Sequence, residues 1–414
     1  MKDRTIISID LKSFFASAEC VNRGLDPYKV PLVVSDYTRG KGAITLAVSP
    51  YLRNLGVKSR CRLYELPKNI KIKYVKPRMK LYEETSKKVM SIYYEFVAPE
   101  DIHIYSIDEA FLDVTDYLKY YKISDIALAE RIMKTVKDRL GLTTTAGIGP
   151  NIFLAKVAMD IEAKHNKNNI SKWTYNDVQT KLWNLSPISK VWGFGHRLEK
   201  KLNNLKIYKV GDINNYSREF YIKRFGKVMG NDILNKANGI YTTTIRDLNN
   251  QTHDKSMSIS QVTNRNYNLE EAILLIKEMN DMLNKQLRDK HLTTKFVYLG
   301  VTYSREFAES FSDTISLSDY TDNKDELLDT FKYLYYKNIK DLPIRKVGIC
   351  YGRLTRKVAD QISLFDDEKK YNTNEYYELI EKINEKFGST ALLRASSLEK
   401  HSTIKNRERF KNMI

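Results

Sequence analysis

The sequence predicts an α+β architecture divided among several domains. Three observations lead there. The first 165 residues read strand, helix, hairpin, helix, strand, helix, the order of a sheet with helices packed on one side. Residues 256–351 read strand, helix, strand, helix, strand, a second and smaller α+β array. A chain of 414 residues with 42% apolar content is long enough for two to four domains, each with a core of its own.

The elements follow from local pattern. Thr5 to Leu11 is a short Ile-rich run bounded by charges, a buried strand, and FFASAECV after Ser13 is compatible with a helix. Pro31 to Ser35 and Ala43 to Val48 are further strand candidates, separated by the basic turn Thr38 to Gly42. Met79 to Val97 places Val89, Tyr93, Phe96 and Val97 on a helical face. Asp101 to Thr115, DIHIYSIDEAFLDVT, has two β-rich runs flanking Asp108-Glu109, which predicts a hairpin with the carboxylates at its tip. Ser124 reads as an N-cap and Gly141 as a C-cap of a helix carrying Ile126, Ala129, Met133, Val136 and Leu140. Thr143 to Gly149 is a strand, and Asn151 caps a helix that bears Lys156 and runs towards Lys164. From Ser171 the composition shifts. Gly193-Phe194-Gly195 lies between two predicted short helices with Lys and Arg close behind, and its Gly turn either exposes N–H groups to a phosphate or is an ordinary helix–helix turn. Tyr241 to Ser256 reads as a linker. The second array is then a strand from Ser256, a helix from Leu269, a strand from Lys295, a helix from Lys324 and a strand from Ile344, with a tail helix from Glu375.

Charge and composition narrow the function. Lys and Arg number 69 against 51 Asp and Glu, a net charge of +18, which predicts a polyanionic partner, nucleic acid or an anionic membrane surface. No apolar run is long enough to span a membrane, and the N-terminus lacks the h-region of a secretory signal. Cys20, Cys61 and Cys350 form no CxxC pair and read as buried or free thiols, which suits a reducing cytoplasm. The 6 His show no metal-ligand spacing.

Asp10 ends the first strand, and Asp108 and Glu109 sit at the hairpin. If the hairpin lies beside that strand, three carboxylates meet at one sheet edge and need a cation between them. Oxygen-only ligands suit Mg²⁺ or Mn²⁺ better than zinc. Two such ions serve in-line phosphoryl transfer. On spacing alone, the same residues could equally terminate a hairpin and cap a helix.

SIDLKSFFASAE, then YSIDEAFLDVT, then TAGIGPNIFLAKVAMDIEAK, in that order, resemble the Y-family (translesion) DNA polymerases. The likeness is to the bacterial UmuC branch with the UvrX-like proteins of Gram-positive bacteria, and it covers about the first 355 residues. It implies a right-hand polymerase with a ferredoxin-like palm (1–12 and 76–166), small fingers (13–75), a helical thumb with a helix–hairpin–helix (167–240), a linker (241–255) and a separate α+β little finger that binds DNA (256–355). A C-terminal tail (356–414) completes the chain, where Gln361, Leu364 and Phe365 resemble a sliding-clamp-binding motif. The resemblance implies template-directed DNA synthesis in lesion bypass within the DNA-damage (SOS) response. Its partners would be primer–template DNA, dNTP, the bacterial β sliding clamp and accessory subunits.

Residue by residue, the resemblance assigns catalysis and two metal ions, Mg²⁺ with Mn²⁺ as substitute, to Asp10, Asp108 and Glu109, with the Leu11 carbonyl as a further metal ligand. It places Phe15 under the incoming sugar, Phe14 near the ribose, and Arg53 and Lys164 on the triphosphate, with Lys156 as a second candidate and Thr45 as a weaker contact. Gly193 and Gly195 would meet the DNA backbone. The chain departs from many relatives where they carry a Tyr three positions before the Arg; here Pro50 stands, with Tyr51 next to it. The competing reading is a catalytically dispensable DNA- and clamp-binding accessory protein on a polymerase scaffold. The retained Asp10, Asp108 and Glu109 count against it. A ribonucleotide-polymerising or nucleotide-cyclising palm is disfavoured by Phe15.

Overall fold

The computed structural model describes residues 4–250, 256–357, 369–388, 391–399 and 401–404. The chain divides into two compact units, the first ending at Gln251 and the second beginning at Thr252. It is an α+β protein, as its sequence predicts.

In the first unit the strands are β1 (Ile6–Leu11), β2 (Leu32–Val34), β3 (Ala47–Val48), β4 (Lys73–Val75), β5 (Ile102–Ile104), β6 (Glu109–Asp113), β7 (Thr144–Gly149) and β8 (Ile170–Lys172). The main sheet has the order β5-β6-β1-β7-β8, antiparallel except for β7 with β8. β1 is its centre. Alternation along a strand sends Ile7, Ile9 and Leu11 to one face, where they pack with Val89, Leu128, Ile132 and Val136 of the Met79–Tyr94 and Asp125–Leu140 helices. Ile6 points the other way, into a cluster with Phe111, Ile152, Ala155 and Ile245. Helices therefore cover both faces, not one as the element order suggested. The reason lies in the strands: every residue of β6 and β7 is buried, and neither has a polar face to give to water.

The smaller sheet, β3-β2-β4, has its own core of Val33, Val48, Leu52 and Leu66. The strand expected over Ala43 to Val48 shrinks to two residues, preceded by a single bridge between Ile44 and Arg62. A helical cluster follows, built on Trp173, Phe194, Leu202, Val210, Tyr221 and Ile233. The expected linker is partly helical: Ile245–Asn250 docks on the main sheet through buried Ile245, the Arg246–Asp101 pair and Asn249 donating to the Ile102 carbonyl.

The second unit is built on a five-stranded antiparallel sheet: β9 (Met257–Tyr267), β10 (Leu292–Tyr303), β11 (Ser310–Thr321) and β12 (Ile344–Gly352) in the order β11-β10-β12-β9, with the two-residue β13 (Thr355–Arg356) paired to the start of β10. β11 was not foreseen. The helices Leu269–Asp289 and Lys324–Asn338 close one face over Val297, Leu299, Val347 and Ile349. The Leu269 helix starts in a capping box in which Asn268 and Glu271 exchange bonds.

Candidate active site

β1 and β6 bring the first two carboxylates together by register alone, since Asp10 pairs with Glu109 across the ladder. The hairpin is pinched at its base, where the N–H groups of Tyr105 and Ser106 both donate to the Glu109 carbonyl, at 3.0 and 3.1 Å. Glu109 is thus the first residue of the strand and not part of the tip. Asp108 is at the tip; its carbonyl accepts from Leu11 N–H at 3.0 Å and its carboxylate from Ser106 Oγ at 2.7 Å.

A helix laid across this face supplies the counter-charge. Asn151 caps the Ile152–Ala158 helix by accepting from Leu154 N–H, and it donates to the Gly239 carbonyl. The helix can lie on β7 only because Gly147 and Gly149 lack side chains. A Cβ at Gly147 would stand 2.1 Å from the Ala155 carbonyl oxygen and 2.4 Å from Met159 N. After Ala158 the helix widens into a π-turn, Met159–Ala163, a feature frequent at functional sites. The widened turn sets Lys156, Asp160 and Lys164 in line. Lys156 Nζ lies 2.7 Å from Glu109 and 3.1 Å from Asp160, and Lys164 Nζ lies 2.9 Å from Asp160 and 3.0 Å from Asp10. The result is an alternating chain, Glu109–Lys156–Asp160–Lys164–Asp10. Asp160 was missed from sequence; its only signal was its place four residues from each lysine.

Burial dominates the electrostatics. It raises the Asp10 carboxyl above the usual range, against the pull of Lys164, and raises Glu109 likewise, against Lys156. Burial opposes the charge on Lys164 too, but Asp10 and Asp160 together outweigh it, and its pKa is raised. The donors near this edge, the three predicted carboxylates and the Leu11 carbonyl, are all oxygen, the chemistry of a hard divalent cation. Among the described residues no three Asp, Glu, His or Cys side chains are gathered around one point as a ready metal cage. Instead the Asp10 and Glu109 carboxylates each hold an ammonium group, so the donor set fits a cation that takes over charge now supplied by lysine.

The remaining predicted residues divide. Phe15 is half-buried and stacks on Tyr82, ring centroids 4.3 Å apart at 14°. Phe14 is 3% exposed and belongs to the core. Thr45 is fully buried and donates to the Cys61 carbonyl at 3.1 Å, so its hydroxyl is used within its own fold and is not offered to a phosphate. Arg53 is exposed and bonds the Val57 carbonyl at 3.2 Å. Pro50 starts the helix Pro50–Asn54 and Tyr51 packs against the Val33 and Leu52 cluster. Gly193 has φ +90°, and Gly195 precedes the His196–Asn203 helix, but the helix expected before them is a single 3₁₀ turn, Ile188–Lys190. Gln361, Leu364 and Phe365 lie outside the described residues.

The second unit offers a different surface. Ser258, Ser260, Tyr298, Thr302, Ser312 and Lys346 line the sheet face left open opposite the helices.

Comparison with known proteins matches residues 9–160 to the impB/mucB/samB family, 254–364 to that family's C-terminal domain and 175–207 to the IMS family HHH motif. The UvrX protein of Bacillus subtilis (strain 168) is 33% identical over 399 residues, covering 95% of this chain and 93% of the relative. A DNA polymerase IV of Desulfotalea psychrophila is 31% identical over 358 residues, with 85% and 90% covered. Among solved structures, a Y-family DNA polymerase chimera of Dbh and Dpo4 shares the fold, with a TM-score of 0.67 at 23% identity over 85% of this chain and 99% of that one.

Proposed function

This chain belongs to the impB/mucB/samB family, the Y-family DNA polymerases, and from that membership we propose that it is a template-directed DNA polymerase of the lesion-bypass type, adding deoxynucleoside monophosphates to a primer 3′-hydroxyl. The observation that carries the site assignment is the alternating chain of carboxylates and lysines on the β1–β6 edge. Nucleotidyl transfer is mainly positioning and charge stabilisation, and it needs this kind of preorganised charge rather than a nucleophilic side chain.

Asp10, Asp108, Glu109 and the Leu11 carbonyl would hold two Mg²⁺ ions, with Mn²⁺ as substitute. Bound there, such ions would lower the pKa of the primer hydroxyl and offset the charge of the triphosphate. Lys164, held between Asp10 and Asp160, would meet phosphate oxygens, and Lys156 pairs with Glu109 and opposes the effect of burial on its carboxyl. Phe15 stands under the sugar and excludes a 2′-hydroxyl. Residues 1–12 and 76–166 then serve as palm, 13–75 as fingers, 167–240 as thumb and 256–355 as little finger. The open face of β9 to β12 and the Gly193-Gly195 turn grip the duplex backbone without reading sequence. The Gln361 motif tethers the chain to the β sliding clamp, which raises its effective concentration at primer ends.

Primer extension on a damaged template tests the assignment. The wild type extends with Mg²⁺ and stops on chelation, and Asp108→Ala with Glu109→Ala abolishes extension; extension that survives the double change rejects the metal site. Truncation before Gln361 keeps basal extension and loses clamp stimulation, and undiminished stimulation rejects the clamp motif.

A further inference from the structure

Glu19 is fully buried, and no step described above uses it. It lies four residues after Phe15 on the Phe14–Asn22 helix, so carboxylate and ring share one helix face. Arg78 grips it with two bonds, Nε to Oε1 at 3.0 Å and Nη2 to Oε2 at 2.7 Å, and Arg23 bonds it as well. The Tyr82 hydroxyl donates to Oε1 at 2.8 Å. Arg78 and Tyr82 are themselves four residues apart, at the start of the Met79–Tyr94 helix. Two helices are therefore joined twice over the same spot, by charge through Arg78–Glu19 and by rings through Tyr82–Phe15.

A buried charge persists only where its hydrogen bonds are satisfied, and a buried phenol needs an acceptor. Here one group answers both needs. The bond to Glu19 leaves the fully buried Tyr82 ring one orientation, and Phe15 lies nearly parallel to it. A ring that must reject one extra oxygen on a sugar depends on being held, since small tilts open the space it is meant to close.

We propose that Glu19 is a positioning residue for sugar selection: through Arg78 and the Tyr82 hydroxyl it fixes the surface against which Phe15 rests, and so sets how strongly ribonucleotides are refused. The proposal rests on the reading of Phe15 as the residue under the incoming sugar, and the experiment separates the two. With the full chain, kcat and KM for matched deoxy- and ribonucleotides are measured in primer extension. Phe15→Ala lowers the selectivity roughly 100-fold. Tyr82→Phe keeps the ring and loses only its hydroxyl. It and Glu19→Gln each lower the selectivity by about 3- to 10-fold, through better use of ribonucleotides, with kcat/KM for deoxynucleotides within about twofold of wild type. Unchanged selectivity in Phe15→Ala overturns the sugar-gate reading and this proposal with it. A relaxed Phe15→Ala beside wild-type selectivity in Tyr82→Phe and Glu19→Gln overturns the positioning role alone, as does an equal loss for both nucleotide classes. Thermal melting reports whether Glu19→Gln folds; where it does not, Tyr82→Phe decides.

Discussion

In the main sheet of the first unit, β6 and β7 are buried throughout, and along β1 only Asp10 escapes full burial. In the second unit β9 and β11 alternate along much of their length, with Ser258, Ser260 and Val262 outward on one and Ser312 and Thr314 on the other. The first sheet pairs each of its carboxylates, Asp10, Glu109 and Asp113, with a basic side chain; the second leaves a polar face to solvent and keeps charge sparse on it. Burial makes a charge expensive and its position definite, which suits groups that act on one bond. Exposure makes contacts cheap, interchangeable and salt-sensitive, which suits a surface that meets phosphates in any sequence.

The contrast gives its largest expected effect at Lys164. Lys164→Ala removes the ammonium between Asp10 and Asp160, and kcat/KM for nucleotide addition falls by roughly 100- to 1,000-fold, about 3–4 kcal/mol of transition-state stabilisation. A loss below tenfold places the triphosphate elsewhere. Next is Gly147→Ala, whose Cβ meets backbone of the segment 152–164. We expect about 3 kcal/mol of destabilisation in denaturant melts, with loss of activity because the lysines ride on that segment. A neutral result means that the helix stands further off the sheet than its distances indicate. On the open face, Lys346→Ala weakens duplex binding modestly and equally for all sequences, and lowers the slope of log affinity against log salt by about 1, with stability unchanged. An unaltered slope takes Lys346 off the DNA path.

Legibility in the sequence follows the same division. The β1 run and the Asp125–Leu140 helix were readable because local signals agree: an Ile-rich stretch, Ser124 accepting from Ala127 N–H, and Gly141 in the left-handed region at φ +66°. β11 was not readable, because SFSDTISLSDYT is an edge strand rich in Ser and Asp and carries few apolar residues to mark its alternation. β4 and β8 are three-residue strands held by parallel partners remote in sequence. The helix Ile245–Asn250 hid within a polar stretch, since its docking depends on one apolar residue. At the site, motif likeness drew attention to Asp10, Asp108, Glu109 and Lys164. The pairing of Lys156 with Glu109, the π-turn and the role of Asp160 are tertiary facts with no local signature. Thr45 shows the converse, a plausible residue type whose hydroxyl is taken by a neighbouring carbonyl.

The smallest expected effect tests the comparison by sign. In the second unit the Arg265 guanidinium holds Glu271 below the usual carboxylate range, against the opposing effect of burial and with help from the Asn268 N–H. A depressed folded value means stability that is present above the unfolded carboxylate pKa and lost as pH falls through the folded one. Glu271→Gln should therefore be less stable than wild type at neutral pH, and the gap should close on acidification below about pH 4.5. Glu109 behaves oppositely. Burial raises its folded value, so its contribution is present below the unfolded pKa and lost as pH rises. Against Glu109→Gln, wild type should gain ground as pH falls through that raised value. Melting temperatures of the two variants and wild type across pH 3–7 would then give difference curves of opposite slope, one carboxylate held in its charged form by a neighbour and the other kept charged at a cost. Curves of the same slope would show that the balance between burial and pairing does not set the two carboxylates apart.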